Sequence, residues 1–249
     1  SYGNPDLSIN YDDASVGSEA YGVTNYVEML GSNEAPGEWY PMYSYTTTLP
    51  ANTLEGQIKA QMDEVTLYRD LIARYAATLV ESGDTIFINT SRNALELIKY
   101  VHAENVTVIT NNGKAINHDK ASGVNIILTG GELRYPKEAM VGDFAVRNLQ
   151  NIFARKTFVG CSGISAKTGM TTEIINEVNI NQLMIDHAAQ EVYILADHTK
   201  IGKNSSFTSC GIEKVQHLIT DELASEEELE KLRASGVQIH IVRKSDFWK

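Results

Sequence analysis

Basic residues are missing from the first part of this 249-residue sequence. No Lys or Arg occurs before Lys59, although the same stretch carries eight acidic residues and seven of the twelve tyrosines. The whole chain has 21 basic and 32 acidic residues, a formal net charge of −11. Because such a surface repels polyanions, we do not expect this chain by itself to bind DNA.

Signals for metal binding, disulfides and membrane insertion are also scarce. The cysteines Cys161 and Cys210 show no CxxC spacing, and the six histidines form neither HxH nor HExxH. No run approaches the roughly 18 apolar residues that span a bilayer. The first residues, SYGNPDLSINYDD, lack the basic and apolar regions of a signal peptide. We therefore predict a cytoplasmic protein with no metal, no disulfide and no membrane contact.

Two common nucleotide-binding motifs are absent as well. No GxGxxG follows a predicted strand, and the segment GCSGISAKTG lacks both the Gly before Lys-Thr and the helix that a P-loop requires. Nucleotide hydrolysis and hydride transfer lose their main support, and we predict no cofactor.

The composition predicts a folded core, since 43% of the residues are hydrophobic. From about residue 63 a helical stripe is followed by strands and helices in alternation. The predicted strands are TIFIN, NVTVIT, VNIILT, KTFVGC, EVYILA, HLIT and VQIHIV, and the predicted helices lie near 93–103, 113–120, 139–152 and 174–189, with a last one opened by the capping box Ser225-x-x-Glu228. Apolar strands that alternate with helices predict an α/β fold, a mainly parallel sheet with helices on both faces.

The amino-terminal part has a different character. Alternating pieces such as YPMYSYTTTL, broken by Pro36-Gly37 and Pro50, indicate strands and loops without a long helix. We predict an acidic, Tyr-rich segment over residues 1–62, either an accessory layer or a partly ordered extension, and a main domain over 63–249. A start at Ser1 suggests that an upstream part was removed, although a purification scar would look the same.

Small polar residues follow the predicted strands. Ligands in parallel α/β sheets bind beyond the carboxyl ends of the strands, and the free amides of a helix start favour an anion. Arg92 would grip two phosphate oxygens at once. Each such loop alone is also compatible with simple helix capping or a tight turn. The predicted ligand-binding residues are Asn89, Thr90, Ser91, Arg92, Asn93, Thr110, Asn111, Asn112, Gly131, Gly160, Cys161, Ser162, Gly163, Asp197 and Lys200.

From about residue 65 to 243 the sequence resembles the C-terminal effector domain of DeoR-type transcriptional repressors of bacterial sugar metabolism. The motifs that carry the resemblance are ESGDTIFIN, VTVITNN, IILTGGELR, MVGDFAV, FVGCSGIS with TGMT, NEVNINQLMI and ILADHTKIGKNS. The resemblance implies a fold similar to ribose-5-phosphate isomerases and a phosphorylated sugar as effector, with Asp197 and Lys200 matching the family's Asp-x-x-Lys. It also implies a homo-oligomer that contacts operator DNA through an amino-terminal domain. No helix-turn-helix pattern precedes residue 59, so that domain was removed or the chain regulates differently.

One departure from the family pattern concerns the anion loop. Arg92 and Asn93 replace the usual hydroxyl pair of the phosphate loop, which adds a charge. Asp197 and Lys200 either contact the ligand or neutralise one another.

A sugar-phosphate isomerase on the same fold is the main alternative function. Isomerisation needs a carboxylate base, and the Asp-Gly-x-Asp-Glu run of related isomerases reads Gly160-Cys-Ser-Gly here. Glu177 and Asp197 remain as possible bases, but Glu177 is interpreted as a solvated helix residue and Cys161 as a small core residue. We therefore predict binding without catalysis. A purely structural or protein-interaction module is a third possibility, which would not explain the polar strand ends.

Overall fold

The computed structural model describes residues 20–32, 39–50 and 54–247, with side chains from residue 64 onward. The chain divides into two compact units, Ser1–Glu64 and Val65–Lys249. In the first unit two antiparallel strands pair, one of which contains the predicted YPMYSYTTTL strand. The rest of the predicted amino-terminal segment, including Pro36-Gly37, lies outside the described residues.

The strands and helices of the described residues follow in chain order. The strands are β1 (Ala20–Ser32), β2 (Trp39–Pro50), β3 (Thr85–Ile88), β4 (Val106–Thr110), β5 (Val124–Leu128), β6 (Glu132–Arg134), β7 (Ala139–Val141), β8 (Ala154–Gly160), β9 (Gly163–Ser165), β10 (Gly169–Thr172), β11 (Ala188–Leu195), β12 (Phe207–Cys210), β13 (His217–Asp221) and β14 (Gln238–Val242). The α-helices are α1 (Leu54–Ala77), α2 (Arg92–Tyr100), α3 (Asp143–Leu149), α4 (Ile175–Asp186) and α5 (Glu226–Ala234).

A seven-stranded sheet forms the centre of the second unit. Its order is β14-β13-β11-β8-β3-β4-β5, and every neighbouring pair is parallel. All seven predicted strands take part in it, so the prediction of a mainly parallel sheet is confirmed. Since the strands are parallel, their carboxyl ends meet at one edge of the sheet.

Alternating side chains of the strands build one core on each face of the sheet. In β3, Ile86 and Ile88 pack with side chains from α1 and α2, whereas Phe87 packs with side chains from α3, α4 and α5. Tyr193 and Ile194 divide in the same way between the two faces. Helices therefore cover both faces, as predicted, and almost all of these core side chains are fully buried.

The predicted helix over 139–152 is wrong in its first part. Ala139–Val141 is a strand that pairs with β6, and the helix begins only at Asp143. Gly142, with φ of 85°, lies between this strand and the helix and adopts a backbone conformation that favours glycine, so that the chain can change direction there. At the same open end of the hairpin Gly131, which precedes β6, has φ of 113°, and a Cβ there would lie 2.6 Å from the Val141 carbonyl oxygen. Only glycine fits this turn.

Three further helix predictions need correction. The predicted helix at 113–120 is a 3₁₀ turn over Gly113–Asn117, and the one at 174–189 ends at Asp186 because β11 starts at Ala188. The Ser225 capping box does not form, since no side-chain capping bond joins Ser225 to α5. The Glu228 carboxylate instead accepts a 2.7 Å bond from Lys231, a competing charged partner one turn later.

A small antiparallel sheet, β12-β10-β9, lies in sequence between strands of the main sheet. Its Thr171 hydroxyl donates to the Gly163 carbonyl oxygen at 2.9 Å and accepts from the Ser205 amide, also at 2.9 Å. These bonds fix the loop that follows β8. In the described part of the chain no helix has the length and apolarity to cross a membrane.

Candidate functional site

The carboxyl ends of four neighbouring strands gather most of the predicted ligand-binding residues. The register aligns Ile88 of β3 with Thr110 of β4 on one side and with Phe158 of β8 on the other. Leu195 of β11 aligns with Gly160 of β8. The residues that follow these four strands therefore share one edge, in the order β11, β8, β3, β4.

Asn89 joins the ends of β3 and β8. Its side chain is 3% exposed, and Nδ2 donates to the Gly160 carbonyl oxygen at 2.8 Å and to Asn181 Oδ1 at 3.0 Å. Oδ1 accepts from the Gly160 amide at 3.0 Å and from the Ser91 amide at 3.2 Å. Because both ends of this amide are occupied by protein partners, Asn89 holds the site together.

Ser91 forms the start of α2. Its hydroxyl oxygen accepts from the Ala94 amide at 3.1 Å, and the first intrahelical bond runs from the Leu95 amide to the Ser91 carbonyl oxygen. The amides of Arg92 and Asn93 have no acceptor among the described residues, as expected for the first turn of a helix. They present two N–H donors at the positive end of the helix dipole.

Arg92 is exposed and has no ion-pair or hydrogen-bond partner within residues 64–247. Asn93, in contrast, is 6% exposed. The Arg92 side chain therefore has no protein partner among the described residues, and it belongs to the helix turn that also carries two open backbone amides. This is an arrangement that suits an anion such as phosphate.

The prediction that Glu177 is a solvated helix residue is wrong, because Glu177 is only 3% exposed. Its Oε1 accepts from the Thr90 hydroxyl at 2.8 Å, and its Oε2 accepts from the Thr172 hydroxyl at 3.2 Å. Lys137, from the turn between β6 and β7, places Nζ 3.3 Å from both carboxylate oxygens. The carboxylate thus connects the loop after β3, the strand β10 and the β6–β7 turn.

Asp197 pairs with a residue that the sequence did not single out. Arg69 on α1 donates from Nε to Asp197 Oδ2 at 2.8 Å, and Asp197 is 2% exposed. Burial alone would raise the pKa of Asp197, but hydrogen bonds from Thr199 and Arg69, with the charges of Arg69 and Lys200, hold it below its usual range. Among the described residues the direct ion-pair partner of Asp197 is Arg69 and not Lys200, which is partly exposed and acts on Asp197 only through its charge.

The loop after β8 contains a thiol with little reactivity. Burial raises the pKa of Cys161 to about 12, so the thiolate needed of a nucleophile is hardly populated at neutral pH. Ser162 is partly buried, and its hydroxyl accepts from the Glu173 amide at 3.3 Å. A Cβ at Gly163 would lie 2.5 Å from the Lys203 carbonyl oxygen, so this glycine permits a close backbone approach.

The loop after β4 is largely engaged in local structure. Thr110 Oγ1 accepts from the Asn112 amide at 3.0 Å, and Asn112 Oδ1 accepts from the Lys114 amide at 3.1 Å. Asn111 Nδ2 donates to the Met140 carbonyl oxygen at 3.2 Å, but its Oδ1 has no donor among the described residues although Asn111 is only 1% exposed. A buried amide oxygen normally has a partner, so this atom lacks a donor that the described residues do not supply.

The structure therefore divides the predicted residues into two groups. Asn89, Thr90, Ser91, Thr110, Asn112 and Asp197 are bonded to protein groups, Cys161 packs against the core, and Gly131, Gly160 and Gly163 serve the backbone. The groups without a protein partner among the described residues are the amides of Arg92 and Asn93, the Arg92 guanidinium, the buried Asn111 Oδ1 and the ammonium of the partly exposed Lys200, while the partly exposed Ser162 hydroxyl keeps its proton to donate.

Asn181 was missed and Glu177 was interpreted as solvated, although the sequence contains a signal for both. Glu177 lies three residues before the buried Ile180, and Glu177, Asn181 and the buried Met184 follow one another at spacings of four and three residues, on one face of α4. Lys137 and Arg69 had no comparable signal, since their partners are 40 and 128 residues away. Among the described residues, no group of three or more His, Cys, Asp or Glu side chains is placed to hold a metal ion.

Comparison with protein families gives one match. The DeoR C terminal sensor domain matches residues 66–222. This range contains every predicted ligand-binding residue, and it starts after the first of the two units.

Curated relatives are named as transcriptional repressors. Over 193 residues the chain is 29% identical to the HTH-type transcriptional repressor GlcR of Bacillus subtilis, covering 77% of this chain and 72% of that protein. Over 165 residues it is 30% identical to the lactose phosphotransferase system repressor of Staphylococcus aureus, covering 65% of this chain and 64% of that protein. About a third of each relative therefore lies outside the matched segment.

Solved structures with a similar arrangement are more distant. Ribose 5-phosphate isomerase A from Methanocaldococcus jannaschii is 14% identical with a TM-score of 0.37, covering 53% of this chain and 52% of that chain. The eIF2B beta subunit from Chaetomium thermophilum is 16% identical with a TM-score of 0.40, covering 61% and 44% respectively.

Proposed function

Because this chain belongs to the DeoR C-terminal sensor domain family, we propose that it binds a phosphorylated sugar at the carboxyl edge of its parallel sheet. The observation that carries the proposal is the first turn of α2, which has two amides without acceptors and the exposed Arg92 side chain, itself without a protein partner among the described residues. Backbone amides at a helix start and a planar guanidinium are both suited to phosphate oxygens.

Two other groups support a sugar as the remainder of the ligand. Asn111 Oδ1 is a buried acceptor that lacks a donor among the described residues, and a sugar hydroxyl supplies one. Lys200 is partly exposed on the loop after β11. A phosphate at α2 with hydroxyls toward the loop after β4 would use both kinds of group.

Catalysis of sugar-phosphate isomerisation is disfavoured by the state of the two candidate carboxylates. Asp197 is bonded to Arg69 and Thr199, and Glu177 is bonded to Thr90, Thr172 and Lys137. For Asp197 these bonds help to hold the pKa below its usual range, which makes it a weak base, and the oxygens of Glu177 are occupied by protein donors. The chain's family is one of sensor domains, and binding without turnover fits it.

The effector is proposed to change DNA binding by a part of the protein other than this domain. The relatives are named as repressors, and this chain covers only about two thirds of their length. With a net charge of −11, the sequence offers operator DNA little electrostatic attraction. We therefore place operator contact outside the sensor domain, in a cytoplasmic regulator.

Self-association belongs to the same proposal, because operator symmetry is mirrored by protein symmetry. Sedimentation at tens of micromolar is expected to give a species heavier than the monomer. A monomer alone would exclude this part of the proposal. Deletion of residues 1–58 would then test whether the Tyr-rich segment contributes to the contact.

A ligand panel tests the proposed function. Calorimetric titrations with glucose 6-phosphate, fructose 6-phosphate, ribose 5-phosphate and inorganic phosphate, each beside the parent sugar, are expected to give binding in the micromolar to millimolar range that depends on the phosphate. Chromatography of the sugar phosphates after incubation is expected to show no product. If no phosphorylated sugar bound, the sensor proposal would fail, and if product formed, the isomerase alternative would replace it.

A further inference from the structure

The turn between β6 and β7 carries a lysine whose surroundings are not those of an ordinary surface ion pair. Lys137 is 42% exposed at its side chain, whereas its partner Glu177 is 4% exposed. The Lys137 ammonium therefore lies between solvent and a buried carboxylate. One partner of that carboxylate, Thr90, comes from the edge of the sheet where the ligand is expected.

The geometry of the contact is loose for a charged pair. Nζ is 3.3 Å from Oε1 and 3.3 Å from Oε2. Charge-assisted N–H···O bonds are commonly about 2.7 to 2.9 Å long. Glu177 is meanwhile bonded by the hydroxyls of Thr90 and Thr172, so that it keeps two donors when Lys137 is removed. The Lys137 ammonium can therefore move away while the Glu177 carboxylate keeps the hydrogen bonds from Thr90 and Thr172.

Thr90 links this ammonium to the anion loop. Lys137 and Thr90 are both bonded to the same oxygen, Glu177 Oε1, and Thr90 directly precedes Ser91, the residue that starts α2. The ammonium is thus a near neighbour of the loop that presents the free amides of Arg92 and Asn93. Its position there is set by the hairpin, which Met140 and Glu138 attach to the end of β4 through bonds to Asn111 and Gly113.

We propose that Lys137 is an effector-binding residue. Its ammonium pairs with Glu177 in the free protein and moves to pair with an anionic group of the effector when the effector binds. The inference rests on the proposed function and names a specific residue for it. When an anion occupies the loop after β3, the ammonium gains a second negative partner a short side-chain movement away. Glu177 keeps the Lys137 ammonium close to the loop in the free protein. Its negative charge weakly repels the bound anion, which favours release of the effector.

Two substitutions make the inference testable by calorimetry with phosphorylated sugars. Lys137→Gln is expected to weaken binding about 10-fold, since a charge-assisted contact to a partly exposed group is lost. Lys137→Arg keeps the charge and is expected to stay within a few-fold of the unchanged protein. Glu177→Gln removes a competing charge and is expected to strengthen binding. One of the Thr90 and Thr172 hydroxyls then keeps an amide oxygen as its acceptor, and the other turns to accept from the amide N–H.

Lys231→Gln is the matched control. Lys231 is 49% exposed and is paired with Glu227 and Glu228 on α5, so its loss removes a similar exposed ion pair elsewhere. Its affinity for every probe is expected to be unchanged. Thermal unfolding of each variant without ligand separates loss of folding from loss of binding.

The outcomes distinguish this inference from the proposed function. If the unchanged protein binds phosphorylated sugars and Lys137→Gln binds them equally well, Lys137 is a structural partner of Glu177 only and the inference is wrong while the proposed function stands. If no phosphorylated sugar binds, the proposed function fails. In that case the unchanged protein and Lys137→Gln are both titrated with inorganic phosphate. Equal affinities of the two proteins for phosphate overturn the inference as well. Should Glu177→Gln not fold, the comparison of Gln and Arg at position 137 suffices.

Discussion

Asn89 and Gly160 exchange two hydrogen bonds across the ends of β3 and β8, from Asn89 Nδ2 to the Gly160 carbonyl oxygen at 2.8 Å and from the Gly160 amide to Asn89 Oδ1 at 3.0 Å. A primary amide can form this pair because it carries a donor and an acceptor side by side. The contact closes the sheet edge at the point where the anion loop begins.

Asn89→Asp replaces the donor with an oxygen that faces two acceptors, the Gly160 carbonyl oxygen and Asn181 Oδ1. We expect the free energy of unfolding to fall by about 2 kcal/mol or more, as measured by urea denaturation at pH 7. Asn125→Asp is the control, because Asn125 is exposed on β5 and its change should stay within about 0.5 kcal/mol. Equal losses in both variants would show that the paired bonds contribute little.

Gly160 also contacts Ser91. A Cβ at residue 160 would lie 2.2 Å from Ser91 Oγ and 2.4 Å from Ser91 Cβ. We expect Gly160→Ala to cost roughly 1 to 3 kcal/mol in urea denaturation through overpacking.

A double-mutant cycle identifies the cause of that loss. Ser91→Gly removes both clashing atoms, so the alanine at 160 should cost at least about 1 kcal/mol less in that background. If the cost of the alanine is the same in both backgrounds, the clash with Ser91 is not its origin.

Two histidines make the stability depend on pH. Burial lowers the pKa of His217 and of His240 below the ordinary value, and the nearby charge of Glu191 opposes the change. His217 Nδ1 lies 3.2 Å from His240 Nε2, and the Tyr75 hydroxyl lies 2.9 Å from His240 Nδ1. The rings are therefore packed in a hydrogen-bonded chain as neutral groups.

The sign of the effect follows from the lowered pKa values. Just below the unfolded pKa of about 6.5, the unfolded chain binds protons that the folded chain does not. Stability is therefore fully present above about pH 6.5 and decreases as pH falls, by at most about 1.4 kcal/mol per pH unit for each histidine. Unfolding midpoints between pH 5 and pH 8 measure the slope.

Replacement of both histidines by Gln should flatten the profile in that range. His102→Gln is the control, since His102 is exposed and its loss should leave the slope unchanged. A slope that survives the double substitution would assign the proton uptake to other groups.

The sheet and its faces could be read from the sequence because continuous apolar strands bounded by helices have few alternative arrangements. The DeoR resemblance is confirmed by the match over residues 66–222. The predicted helix over 139–152 failed because the apolar Ala139–Val141 is compatible with either element. Only the pairing with Glu132–Arg134, and the glycines that flank the open end of the hairpin, decide for a strand.

The site was predictable as an edge, but its internal bonds were not. The rule for parallel sheets brings together the residues after β3, β4, β8 and β11. It does not say which of them are already hydrogen-bonded to protein groups. Those protein partners come from other elements far along the chain, such as Glu177 for Thr90 and Arg69 for Asp197. The ligand-binding role of the predicted residues stays a prediction.

Arg92 offers the most direct test of the anion loop, because it is exposed and without a protein partner among the described residues. Arg92→Ala should weaken phosphorylated sugars about 10-fold in calorimetry, since a charge-assisted contact of roughly 1.5 to 3 kcal/mol is partly screened at an exposed position. Affinity for the parent sugars should be nearly unchanged. Arg147→Ala, at an exposed arginine of α3, controls for the general loss of positive charge. Equal losses for phosphorylated and parent sugars would mean that Arg92 supports the loop and does not bind the phosphate. An unchanged affinity for both would place the anion away from α2, with Lys200 as the next residue to replace.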